Sequence, residues 1–150
     1  MQYVIASGEM ELEDTQGSVT LAPLTQPHLL FVCAGSGFAQ AHSILSSAIH
    51  LNHPATRTLV WTVDSPAGFY ASDLLATIGP WVSVHLFADP RRDPNNAGMR
   101  WLRDRASRIS ACDIVLCGSP SFVYAVTDLL MAAGVTGQYL HSDVYAYAPR

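Results

Sequence analysis

The stretch LLFVCAGSGF at residues 29–38 decides the fold. Six apolar residues run without interruption from Leu29 to Ala34 and stop at Gly35-Ser36-Gly37. An unbroken apolar run, as opposed to an alternating one, predicts a strand covered on both faces, as in a parallel sheet. Directly after it, Phe38, Ala41, Ile44, Leu45, Ala48, Ile49 and Leu51 recur at helical spacing until Asn52 and Pro54 end the pattern. Residues 29–51 therefore read as strand, glycine turn and helix.

The same alternation continues outward. Residues 58–63 (TLVWTV) and 81–87 (WVSVHLF) predict two further strands, with a helix over 69–78 between them that Gly79-Pro80 closes. Residues 88–97 (ADPRRDPNNA) form a polar loop. A helix over 98–110 places Met99, Leu102, Ala106 and Ile109 on one face, and its arginines at 100, 103, 105 and 108 read as a solvated face. Residues 113–117 (DIVLC) predict a fourth strand. A helix over 121–133 follows and ends at Gly134, where a left-handed cap favours glycine. Residues 138–140 predict a short last strand, and Tyr145 and Tyr147 alternate as in a further short strand. Before Pro27 lie short β-like pieces at 2–6, 10–13 and 18–21. The expected fold class is α/β: a doubly wound, five-stranded parallel sheet with helices on both faces.

Composition agrees with one such domain. The chain has 150 residues, 49% apolar and 13% charged, with a formal net charge of −4. That balance points away from nucleic acid and from anionic membranes as partners. Cys33, Cys112 and Cys117 form no C-x-x-C pair, sit in or beside apolar runs and read as reduced core thiols. No run reaches the roughly 18 apolar residues of a membrane span, and residues 1–14 gain acids where a secretory leader carries Lys or Arg; the expected location is cytoplasmic. His42, His50 and His53 do not share a metal-ligating spacing, and no metal site is expected.

In doubly wound sheets ligands bind beyond the carboxyl ends of the strands, where strand order reverses. Three turns there carry candidate chemistry. Gly35, Ser36, Gly37 and Phe38 open a helix, so backbone N–H groups and the helix dipole can cradle a phosphate; a plain βα turn that needs glycine for its torsions is the structural alternative. The third glycine of G-x-G-x-x-G is absent, since Gln40 stands there. Asp64, after the second strand, can accept from an adenosine ribose and would repel a 2′-phosphate, or can cap an ordinary turn. With no Arg or Lys between residues 58 and 90, it favours NADH over NADPH. Cys117, Gly118, Ser119 and Pro120 form the third turn, with Ser119 as a helix cap and Cys117 either core or a ring contact.

Gly35-Ser36-Gly37-Phe38 with Ser43, Cys117-Gly118-Ser119-Pro120, and His141-Ser142-Asp143-Val144-Tyr145 together resemble the nucleotide domain of the ferredoxin–NADP reductase family, in the manner of NAD(P)H:flavin reductases. The resemblance covers residues 17–147, and residues 13–21 resemble the end of that family's flavin-binding barrel. It implies that Gly35, Ser36 and Gly37 hold a pyrophosphate and that Cys117, Gly118 and Pro120 lie beside nicotinamide and flavin. It also implies that Asp143 and Tyr145 face the isoalloxazine. Catalytic expectations therefore fall on Cys117, Asp143 and Tyr145. Ala34, Gln40, His42 and Asp143 depart from glycine, proline, arginine and glutamate in that pattern. The implied organisation is a barrel remnant over 1–26 and an NAD(P)-binding domain over 27–150. NADH is the expected nucleotide, with FAD or FMN on an absent domain or partner. Expected partners are a flavin-bearing domain or subunit and an electron acceptor protein. A non-catalytic nucleotide-binding or regulatory module is the alternative, and an S-adenosylmethionine-binding domain lacks its usual acidic and aromatic residues.

Overall fold

A computed structural model of the chain describes residues 17–89 and 96–150. Strands β1 (His28–Ala34), β2 (Thr56–Val63), β3 (Ser83–Ala88), β4 (Asp113–Cys117) and β5 (Leu140–His141) form one parallel sheet in the order β3-β2-β1-β4-β5. Helices α1 (Phe38–His50), α2 (Ser72–Ile78), α3 (Ala97–Ile109), α4 (Pro120–Ala132) and α5 (Val144–Tyr147) connect and flank the strands.

Strand pleating splits the central residues between two cores. Phe31 and Cys33 of β1, Leu59 and Trp61 of β2, and Val115 and Cys117 of β4 pack with Phe38, Ala41 and Leu45 of α1. Leu30, Val32, Val60, Ile114 and Leu116 point the other way, onto Met99 and Leu102 of α3 and Val123, Val126 and Leu130 of α4. Both faces of the central strands are thus dry, which is why they read as continuous apolar runs. Chain order β1-β2-β3 grows one way from β1 and β4-β5 the other, so the switch point lies between β1 and β4.

Capping follows the residues that signalled it. Ser119 accepts from Phe122 N at 3.4 Å, and Pro120 opens α4. Gly134 has φ +93, and Val135 N bonds back to Leu130 O. Asn96 caps α3 through Met99 N at 2.9 Å.

Several expected elements differ. Helix α2 begins at Ser72, not at 69, because Pro66–Gly68 forms a 3-10 turn and Phe69 leaves it at ψ 74. Trp81 closes another 3-10 turn, Gly79–Trp81, and is 62% exposed, so β3 starts two residues later. A 3-10 turn at Gly137–Tyr139 shifts β5 to Leu140–His141. Tyr145 and Tyr147 lie on a helix, where Tyr145 N bonds Ser142 O and Ala146 N bonds Asp143 O; burial of Val144 selects the helical turn over a strand. Residues 18–21 form no strand, since their leading amides are taken by a side chain. The pieces at 2–6 and 10–13, and most of the loop at 88–97, lie outside the described residues.

Two aspartates tie residues 17–26 down the flank of the sheet. At the carboxyl edge Asp143 accepts from Ser18 N (2.6 Å), Ser18 Oγ (3.1 Å) and Val19 N (2.9 Å). At the amino edge Asp113 accepts from Thr25 N (2.6 Å) and Gln26 N (2.8 Å), and pairs with His141 Nε2 at 2.8 Å. Leu24 is buried between the two attachments.

Candidate functional site

The turns after β1 and β4 meet at the switch point. A Cβ placed on Gly37 would lie 2.3 Å from Cys117 O, 2.6 Å from its carbonyl carbon and 2.8 Å from Gly118 N. Backbone atoms cannot yield as side-chain ends do, so the position excludes every residue but glycine. The two turns form one lip, shoulder to shoulder. Gly35 has φ +51, a left-handed conformation that explains its glycine separately.

An aromatic cluster supports this lip. Phe38 stacks on Trp61 at 4.1 Å between centroids, and Phe69 and Tyr70 meet the indole edge-on at 5.1 and 5.4 Å. Trp61 Nε1 donates to Gly35 O at 3.0 Å and Tyr70 OH to Ser36 O at 3.4 Å. Phe38, expected in the cradle, is fully buried, and its amide bonds Gly35 O and Ser36 O; it anchors the turn from below. The aromatic support went unread in the sequence. Its signal was the apolar-aromatic pattern Trp61, Phe69, Tyr70, which a strand and a helix equally explain.

The other expected residues are distributed around that lip. Asp64 is exposed at the end of β2 and has an interaction of its own. Gly118 (φ +157) is half-buried, and Ser119 and Pro120 are exposed on the start of α4. Cys117 is 1% exposed, facing the core shared with Cys33, its partner in the β1–β4 register. Burial, and then the Asp143 charge, push its thiol up to about 12, and burial also raises Cys33 well above the thiol range. Both therefore stay neutral at physiological pH, and Cys117 can offer a ligand an apolar sulfur but no thiolate. An unfolded thiol ionises near pH ~8.5. The stabilising contribution of these protonated thiols is complete below that pH and is lost as pH rises toward the folded value. Accordingly, iodoacetamide at pH 8 is expected to leave Cys33 and Cys117 unmodified in the folded chain and to alkylate both in denaturant; mass spectrometry reads the difference.

Asp143 and Tyr145 are not brought together. Asp143 turns toward α1, where Gln40 Nε2 donates to it at 2.6 Å alongside Ser18 and Val19. Tyr145 turns toward α4: its hydroxyl bonds Thr127 Oγ1 at 2.7 Å and its ring packs near Tyr124. Tyr145 lines a cavity of about 380 Å³ with Ser18, Val19, Pro23, Leu140 and His141, beside the β5 edge and away from Cys117. Tyr147, one helical turn after Asp143 and 65% exposed, is the aromatic that shares the Asp143 face.

Among the described residues no group of three or more His, Cys, Asp or Glu could hold a metal ion, and no helix is long and apolar enough to cross a membrane. On α3, Arg100, Arg103 and Arg108 are exposed, and Arg105 lies over the Trp101 ring at 4.6 Å.

No family model matches the chain. A ferredoxin reductase in carbazole 1,9a-dioxygenase superimposes with a TM-score of 0.60 at 18% identity, over 77% of this chain and 34% of that one. The fold, a five-stranded parallel sheet with flanking helices, is ferredoxin reductase-like. A flavohemoglobin from Malassezia yamatoensis, with bound FAD and heme, matches this ferredoxin reductase-like domain with a TM-score of 0.65 at 17% identity, over 84% of this chain and 34% of the flavohemoglobin. In sequence, the reductase component 1 of terephthalate 1,2-dioxygenase from Comamonas sp is 27% identical over 160 residues. That alignment takes in 99% of this chain, which spans about half (47%) of the relative's length.

Proposed function

We propose that this chain is the pyridine-nucleotide-binding part of a flavin-dependent reductase, which holds NADH so that its nicotinamide reaches a flavin carried by another domain or subunit. The observation that carries the reading is the single lip made by the turns after β1 and β4, where Gly37 touches the Cys117–Gly118 backbone at the switch point. The likeness to dioxygenase and ferredoxin reductases, and to an FAD-binding flavohemoglobin, supports it.

The residues present fit a dinucleotide. Gly35, Ser36 and Gly37 lead into a 13-residue helix, and its N-terminal end, apart from the Phe38 amide that Gly35 O and Ser36 O hold, suits a pyrophosphate. Asp64, at the end of the neighbouring strand, suits a ribose diol and disfavours the 2′-phosphate of NADPH. Gly118 permits close approach beside Cys117, whose neutral sulfur keeps the nicotinamide end apolar, and the Ser119 hydroxyl and Pro120 border it. Nicotinamide and flavin supply the hydride chemistry; the chain supplies alignment and exclusion of water. Asp143 positions residues 17–19 against this edge, and Tyr147 is the exposed aromatic for a flavin ring, in place of Tyr145. The flavin would be FAD, in a domain attached through residues 1–26 or in a partner, and the acceptor a protein of an oxygenase system. The engagement of both Asp143 and Tyr145 in internal hydrogen bonds favours, as the second reading, a nucleotide-binding module without catalysis.

Calorimetric titration of the chain separates these. NADH is expected to bind saturably with a Kd of about 1 mM or tighter, roughly −4 kcal/mol, and NADPH more weakly. Absence of saturation with either nucleotide would rule out the reductase reading. Saturable binding without any electron transfer to an added flavin domain would leave the non-catalytic module.

A further inference from the structure

We propose that the outer edge of β3 docks an extended segment of a partner protein in which apolar and acidic side chains alternate. This edge lies two strands away from β1, and the proposal stands apart from the nucleotide reading.

β3 ends the sheet and pairs with β2 alone, so alternate residues turn their N–H and C=O groups outward. Proteins commonly blunt such an edge with proline, a charge or a very short strand. The six residues of β3, SVHLFA, contain no proline and no Asp, Glu, Lys or Arg. The opposite edge differs: β5 has two residues, and Ser18, Val19 and Pro23 line a cavity beside it.

The two sides of the free edge differ in chemistry. On the α2 side Val84 packs on the core, and Leu86, on the same face, is 44% exposed. Leu74 of α2 is 43% exposed, and Trp81, just before β3, is 62% exposed. On the α3 side His85 meets the Trp101 ring at 4.6 Å, and Arg105 lies over that ring. Trp101, Arg105 and Arg108 recur at helical spacing and so form one stripe along α3. Among the described residues neither of these arginines pairs with a carboxylate. Asp104 points about 100° round the helix from Arg105, and Asp89, just past β3, holds the Ala97 amide.

A strand laid along β3 sends alternate side chains to these two sides. Apolar ones meet Leu86 and Leu74, and acidic ones meet Arg105 and Arg108. Main-chain bonds to a sheet edge supply affinity, and the alternating side chains supply specificity. A second copy of β3 fits poorly. Antiparallel edge pairing about a two-fold axis would set the two arginine stripes on one face, against each other. The occupant is therefore an unlike, acidic segment.

The test titrates a capped synthetic peptide, Thr-Glu-Val-Glu-Val-Glu-Thr, into the full chain and follows its amide NMR spectrum. The amides of Val84, His85 and Leu86 and the Trp101 indole N–H should shift saturably. A peptide with Lys in place of each Glu should bind about 10-fold more weakly or worse. A peptide N-methylated at alternate residues keeps its side chains but cannot donate to the edge, and should lose about 10-fold as well. Arg105→Gln with Arg108→Gln, its fold checked by amide dispersion, should weaken the Glu peptide about 3- to 10-fold and leave the Lys peptide no weaker. Absence of a saturable shift with the Glu peptide overturns the proposal. Equal binding of the Lys peptide or of the N-methylated peptide overturns it too. Dimerisation of the chain alone in sedimentation, with β3 amides broadening as concentration rises, would assign the edge to a second copy and likewise overturn it.

Discussion

Alanine at Gly37 is expected to abolish nucleotide binding and to destabilise the domain by about 1–3 kcal/mol, the usual cost of forcing a methyl into filled space. The argument is steric, since Gly37 has φ −57 and any residue could adopt its backbone. The added Cβ would meet the Cys117 carbonyl at 2.3 Å, and both atoms at the contact belong to turns fixed by the sheet. The lip must therefore part, which separates the cradle amides from the Cys117–Gly118 edge. Titration of NADH and a urea midpoint read the two effects. Gly79→Ala is the control, because a Cβ there meets nothing within 4 Å and φ is −50. It should change stability by no more than about 0.5 kcal/mol. Full NADH affinity in Gly37→Ala would show that the two turns do not act as one site.

Replacing Asp113 by alanine is expected to cost about 3–5 kcal/mol, the range for removing one partner of a buried charged network. Asp113 is 2% exposed and its carboxylate serves the amides of Thr25 and Gln26 and the ring of His141. Truncation strands all three donors at once. For a domain whose whole stability is about 5–15 kcal/mol this is a large share. At roughly 2–4 °C per kcal/mol it corresponds to a loss of at least ~6 °C in Tm. Asn at this position keeps one acceptor oxygen and should fall between the two. Hydrogen exchange at Thr25 and Gln26 should rise in the alanine variant ahead of exchange in β1. A stability loss below about 1 kcal/mol would mean that water replaces the carboxylate and that residues 25–27 are held by packing alone.

These two positions also mark how far the sequence could be read. The parallel sheet was legible because its physics is local and periodic. β4 matches its predicted span, and β1 begins one residue earlier, because strands buried on both faces leave an unbroken apolar run. The caps at Ser119 and Gly134 were legible for the same reason, since a helix end depends on neighbours a few residues away. Boundaries slipped where short 3-10 turns intervened, at Pro66–Gly68, Gly79–Trp81 and Gly137–Tyr139, because a single turn has no period to detect.

The amino acids by themselves determined an α/β domain, a glycine turn at the head of a helix and a second turn at Cys117-Gly118-Ser119-Pro120. Tertiary structure alone decided what those pieces touch. Asp143 meets Ser18 across 125 residues, Asp113 meets Thr25 across 88, and Tyr70 meets Ser36 across 34. Separation along the chain carries no signal of such contacts; they exist because strand order 3-2-1-4-5 brings the ends together, and a hydrogen bond depends on distance in space and not on position in sequence. That is why Tyr145 faces Thr127 while Asp143 faces Gln40, although only Val144 lies between them: successive positions on a helical turn point about 100° apart, and the sheet edge hands each to a different face.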